Sequence, residues 1–143
     1  MIKAVFDANV LVSGIAGVKF PRSTTGELIR RWRNHELIVV TSDHIVREVQ
    51  HALTKPYFQD RISAADQRMF IELIEDRAEL VEITDEVRDV ATHSEDDVVL
   101  STAVSAQVRH LVTGDTGLLS VGRYRGVSVL SPAAFLAQLL PFQ

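Results

Sequence analysis

The chain of 143 residues carries 15 Lys and Arg against 19 Asp and Glu, a formal charge of −4, with 46% hydrophobic residues and no cysteine. This is the composition of one ordinary folded domain, residues 1–143, and it excludes disulfides, thiolate nucleophiles and cysteine-bound zinc. No apolar run approaches the roughly 18 residues of a membrane span, and Asp7 interrupts the first apolar run where a secretory signal would continue, so a cytoplasmic protein without membrane association is expected. The negative charge argues against a protein that coats DNA, while leaving room for a basic rim around an acidic pocket.

Residues 2–6 are apolar and end at Asp7, which reads as a first strand with an acid at its carboxyl end. A stretch with Gly14 and Gly17, then Lys19 and Arg22, reads as a glycine-rich loop. Residues 25–33 place Leu28, Ile29 and Trp32 at helical spacing; residues 37–41 read as a second strand; residues 42–53 form a helix with Ile45, Val46, Val49 and Leu53 at helical spacing and Ser42 as its cap. A further helix spans 64–78, where Ser63 and Asp66 have the spacing of a capping box. Strands follow at 80–83, 111–113 and 127–130, with a helix at 96–106 and a last one from Pro132 to about residue 140. Nearly all-apolar strands alternating with helices predict an α/β fold of three layers around a mainly parallel five-stranded sheet, because parallel strands need crossovers and the crossovers cover both faces.

In such sheets ligands collect beyond the carboxyl ends of the strands, so acids there matter most. Asp7 follows the first strand directly, and Asp115 follows the fourth after Gly114. Glu48 lies on a flank of its helix's apolar face, from which it can lean toward that edge. Asp96 and Asp97 open a helix, where negative charge is favoured, and one of the pair can face the same edge. Two carboxylates ~5 Å apart at an effective dielectric of ~20 repel by roughly 3 kcal/mol, so converging acids require a cation or shared protons. All-oxygen ligands point to Mg²⁺ or Mn²⁺, and such a site suits phosphodiester hydrolysis by a metal-activated water, with no protein nucleophile.

The segments VFDANVLVSG, TSDHIVREVQHAL, HSEDDVVLSTAV, LVTGDTGLL and VSVLSPAAFLAQL together resemble the PIN-domain family, close to the VapC-like ribonucleases that act as toxins in prokaryotic toxin–antitoxin pairs. The resemblance covers nearly the whole chain. It implies a Rossmann-like sheet of order 3-2-1-4-5 and a metal-dependent endoribonuclease site in which Asp7, Glu48, Asp97 and Asp115 are both catalytic and metal-binding. Asp97 is preferred to Asp96 because Leu100 and Ser101 stand three and four positions after it, as the family pattern has them. Asn9, Ser13, Asp96 and Thr113 would orient these carboxylates or their waters. The resemblance further implies one or two Mg²⁺ or Mn²⁺ ions, an RNA substrate, an antitoxin partner and, in many members, a homodimer. Ala8, His93-Ser94-Glu95 and Gly117 depart from the family pattern. Gly117, where many members have an acid, favours one tightly held ion with a second arriving with substrate.

Lys19, Arg22 and Arg47 are the bases expected to touch RNA phosphates, whereas Arg30 and Arg31 read as a solvated helix face. Other enzyme classes fit less well: no Gly-x-Gly-x-x-Gly follows the first strand, Asn9 stands where a phospho-receiver would have a second acid, and the five histidines lack His-Glu-x-x-His spacing. The remaining alternative is the same fold as a non-catalytic metal- or RNA-binding module within a complex.

Overall fold

The computed structural model describes residues 1–139; the expected end of the last helix, near residue 140, lies outside them. Four parallel pairings build the sheet. Strand β1 (Lys3–Phe6) lies between β2 (Ile38–Thr41) and β4 (His110–Val112), β3 (Glu79–Leu80) adds outside β2, and β6 (Val127–Leu130) adds outside β4. The sixth strand, β5 (Arg123–Tyr124), pairs antiparallel with β6 at the edge, for an overall order β3-β2-β1-β4-β6-β5. The five parallel strands thus keep the expected order. β5 escapes sequence reading because it is two residues long. Its hairpin turns through Arg125 and Gly126, both at positive φ, the backbone that a two-residue turn between twisted strands requires.

The expected third strand, residues 80–83, is also shorter in the fold. Val81 still donates to the Thr41 carbonyl, but the chain then leaves the edge, and Leu80 is exposed. In the centre, Ala4, Val5 and Phe6 are fully buried, as a strand covered on both faces must be. Helix α6 (Ser94–Ala106) lies across β1, β2 and β4. Helix α8 (Pro132–Leu139) packs on β6 and sets Phe135 edge-on to Phe6, 5.9 Å between ring centres.

The largest departure from the sequence reading is α1 (Ala8–Gly17), a helix where a glycine-rich loop is expected. It is apolar almost all round because it is buried almost all round, against α2 (Thr24–Arg33) and α3 (Asp43–Leu53), so only a narrow polar stripe, Asn9 and Ser13, marks it. Its glycines serve close packing rather than a turn: a Cβ on Gly26 of α2 would stand 2.2 Å from the Gly17 carbonyl oxygen. Short helices α4 (Pro56–Gln59) and α7 (Thr116–Leu119) were also not marked by periodicity, being about one turn long. Helix α5 (Ala64–Arg77) starts as expected, with Ser63 Oγ accepting from Asp66 N at 3.1 Å. Ser42 precedes α3 but does not cap it; its hydroxyl pairs with Thr102 at 2.9 Å and ties α3 to α6.

Candidate active site

Because β1 and β4 are parallel neighbours in register, Phe6 beside Val112, the residues that follow them emerge together. Asp7 ends β1 and opens α1, with Oδ1 accepting from Ala8 N at 2.8 Å. Its Oδ2 accepts from Thr113 Oγ1 at 2.8 Å and Asn9 Nδ2 at 3.1 Å. Asn9 in turn accepts from Gly114 N at 3.1 Å, and Thr113 Oγ1 accepts from Asp115 N at 3.0 Å. Asn9 and Thr113 therefore lock the Asp7 carboxylate to the end of β4. Asp115 is held by its own cap, Oδ2 accepting from Leu118 N at 2.8 Å.

These acids open onto a cavity of about 740 Å³ that is also lined by Glu48 from α3 and by Glu95 and Asp96 from α6. Crowding of like charge is visible in the protonation equilibria. Burial pushes the Asp7 carboxyl above its usual range, hydrogen bonds from Thr113 and Ala8 oppose this only in part, and the Asp115 charge adds to the rise. Asp96 is raised by burial, then by Asp115 and Asp7. Glu48 is raised by burial despite His44, with Asp7, Glu95 and Asp96 adding repulsion. His44 Nε2 stands 2.9 Å from Glu48 Oε1, yet both atoms are buried without a well-aimed hydrogen bond, so the approach is a charge contact when the imidazole is protonated.

Residues 3–117, which include every one of these acids, match the family model of the PIN domain. The chain belongs to the PIN domain family. The PIN domain is a nuclease fold. The protein is similar in structure to PAE2754 from Pyrobaculum aerophilum, with TM-score 0.66 and 20% identity over 98% of this chain and 90% of the other. It is also similar to VapBC2 from Rickettsia felis, solved bound to a DNA fragment from its promoter, with TM-score 0.56 and 10% identity over 91% of this chain and 98% of that one. At such identities the likeness shows the fold alone. No curated protein matches the sequence.

Of the PIN-domain residues expected at the site, Asp7, Glu48 and Asp115 converge, and Asp96 converges with them. Asp97 does not. Neighbours on a helix point about 100° apart, so only one of the pair can face the cavity. Asp97 is buried on the other side, accepting from the backbone N–H groups of Asp89, Val90 and Ala91 at 3.0, 3.2 and 2.8 Å. It secures the irregular segment that leads into α6.

Ser13 lies beside the site rather than in it, its hydroxyl 2.9 Å from Thr25 Oγ1 in a cleft that also touches Asn9 and Asp115. Lys19 and Arg22 lie beyond the far end of α1, roughly 15 Å along its axis from Asp7, and do not line the cavity, whereas Arg47 does. Arg30 is no solvated side chain: it pairs with Glu27 at 3.0 Å and donates to the Val18 carbonyl at 2.5 Å. Arg31 is buried and pairs with Glu27 at 3.3 Å and Glu36 at 3.5 Å. Sequence reading missed His44, His51, Lys55, Phe58 and Glu95 as lining residues. The signal for part of them was present: His44, Arg47, Glu48, His51 and Ala52 recur at spacings of three and four, one face of α3.

Gly117 fits its surroundings as glycine, since a Cβ there would stand 3.1 Å from Asp115 Oδ2, a carboxylate oxygen already held by Leu118. Among the described residues no three His, Asp or Glu side chains stand together closely enough to hold a metal ion, so a cation at these acids would have to draw them closer. Nor is any helix among the described residues long and apolar enough to cross a membrane.

Proposed function

We propose that this PIN domain is a metal-dependent endoribonuclease, the VapC-like toxin of a toxin–antitoxin pair. The observation that carries the reading is the convergence of Asp7, Glu48, Asp96 and Asp115, from four separate elements, on one open cavity at the carboxyl edge of the sheet. Their donor chemistry fits a hard cation: all ligating atoms are carboxylate oxygens, three of the four groups are raised by burial and mutual repulsion, and Glu48 Oε1 is buried without a hydrogen-bond partner. Asp7, Asp96 and Asp115 would hold Mg²⁺ or Mn²⁺, with Glu48 at their flank. When bound, the cation supplies Lewis acidity, which makes hydroxide accessible at neutral pH and offsets charge on the phosphodiester. The chain's own part is orientation: Ala8 N on one oxygen and Asn9 and Thr113 on the other fix the Asp7 carboxylate, and Asp97 fixes the start of α6 that carries Asp96.

The likeness to VapBC2 supports an antitoxin partner for this chain, and the family resemblance supports a homodimer, which light scattering of the purified protein would test. The decisive experiment is cleavage of a mixed RNA panel in Mn²⁺, Mg²⁺ and EDTA, with Asp7→Asn beside the wild type to exclude a contaminating nuclease. Cleavage that requires the ion and is lost in the variant is the expected result. Equal inactivity of both proteins, with Mn²⁺ still raising the wild type's melting temperature, would move the non-catalytic binding module ahead.

A further inference from the structure

The cavity has two unlike ends. Near the strand termini it is acidic, but α3 runs away from that edge, and its face continues past Glu48 to Ala52; Lys55, between α3 and α4, and Phe58 of α4 complete the far end. Glu48 and Ala52 alone are about 6 Å apart along the axis, more than the roughly 3.4 Å rise of one stacked nucleotide in a duplex strand. The far end combines an apolar floor with a cationic rim. Val12, Ala52 and the half-buried Phe58 form the floor; Arg47 and Lys55 are exposed on the rim, and neither has a hydrogen-bond or ion-pair partner among the described residues.

Arg30, Arg31, Arg88 and Arg125 are each engaged by a carboxylate, whereas Arg47 and Lys55, beside an acidic cavity, have no such partner among the described residues. Phe58 is braced edge-on by Tyr57, 4.9 Å between ring centres, and Tyr57 is braced by the Arg61 guanidinium 3.6 Å over its ring. A held aromatic ring beside free cations is the chemistry that binds single-stranded nucleic acid, the ring stacking a base and the cations tracking the backbone. Acids alone would repel a polyanion, so cations one or more nucleotides away supply the charge complementarity that the acidic end lacks.

We propose that the α3–α4 end of the cavity is a subsite for single-stranded RNA, in which Arg47 and Lys55 hold a phosphate neighbouring the scissile one and a base lies against Phe58. The subsite rests on the ribonuclease reading above and names where the strand continues.

The test is the salt dependence of binding of a fluorescein-labelled oligouridylate in Mg²⁺, followed by anisotropy. All proteins carry Asp96→Asn, so that the strand survives; the Asp96 carboxylate has no hydrogen bond to lose among the described residues. Removing the contacts to that one phosphate with Arg47→Ala and Lys55→Ala together should lower the slope of log K against log salt by about 0.7. Phe58→Leu, which keeps the apolar packing, should leave that slope unchanged and weaken binding about tenfold. Arg109→Ala, on an exposed side chain just before β4 at the opposite edge of the sheet, should change neither. Melting curves confirm that each variant is folded. An unchanged slope in the double variant, or no binding at all, overturns the proposal and leaves this face to a protein partner. Cleavage by the protein with native Asp96 separates the two readings: activity with an unchanged slope sinks only the subsite, whereas subsite-dependent binding without any cleavage sinks only the nuclease.

Discussion

Asp96 and Asp97 are adjacent in the chain and opposite in their surroundings. Asp96 faces other acids and is raised by burial and their repulsion; Asp97 faces three backbone N–H groups that complement its charge. Asp96→Asn should therefore abolish at least about 100-fold of any metal-dependent cleavage, since ligand loss exceeds the 10–100-fold typical of supporting residues, while leaving the melting temperature unchanged or higher. Asp97→Asn should cost about 2–4 kcal/mol in urea denaturation, because an amide presents its own donors to N–H groups that need acceptors. A melting temperature that fell more for Asp96→Asn than for Asp97→Asn would contradict the assignment. The same raised carboxyls give a pH dependence. Asp7, Glu48 and Asp96 bind protons more tightly folded than unfolded, so their contribution to stability is complete below the unfolded carboxylate range, about pH 4, and is lost as pH rises through their raised values. In EDTA, melting temperatures measured from about pH 4 to neutrality should show this loss, and Asp96→Asn should flatten it; a variant with the wild-type pH dependence would show that the crowding carries no energy.

At the scale of elements, the fold depends on helices approaching closely where side chains are absent. Gly17 and Gly26 bring the end of α1 against the start of α2, with Ser23 Oγ accepting from Gly26 N at 3.0 Å at the same junction. A methyl group on Gly26 meets backbone, which cannot rotate aside. Gly26→Ala is expected to cost about 1–3 kcal/mol or more by urea denaturation, although alanine is the better helix former. A neutral result would mean that α1 and α2 pack less closely than described. The α1 helix was illegible because amphipathic patterning reports one buried face, and this helix has little else but buried faces. Helices α3 and α5 were legible for the converse reason: each leaves a polar side exposed.

For the molecule as a whole, a net charge of −4 is distributed so that five acids, Asp7, Glu48, Glu95, Asp96 and Asp115, gather at the mouth of the sheet. A protein that keeps such a cleft is expected to gain stability from the ion that relieves it. Mn²⁺ at about 100 times its dissociation constant should add about 2.7 kcal/mol, read as a rise in melting temperature that saturates with concentration. The rise should vanish in Asp7→Asn and Asp96→Asn and persist in Arg109→Ala. If Mn²⁺ raised none of the melting temperatures, the acidic cleft would have to be explained without a cation.

Taken alone, the alternation of apolar runs with helical segments pointed to a mainly parallel sheet, because parallel strands need crossovers; the strand order came from the family resemblance. The sequence also determined that Asp7 and Asp115 lie at strand ends, since each follows its strand directly or after one residue. Only the tertiary structure shows that Asp96, and not Asp97, lines the cavity. That choice is a rotation of about 100° around α6, set by how the helix packs across β1, β2 and β4 and by which backbone donors lie beside it. It likewise decided that Arg47 belongs to the cavity while Lys19 and Arg22 do not. A continuous helix carried those two away from Asp7, and its sequence, buried on nearly every side, held only the spacing of Asn9 and Ser13 as a sign of the helix.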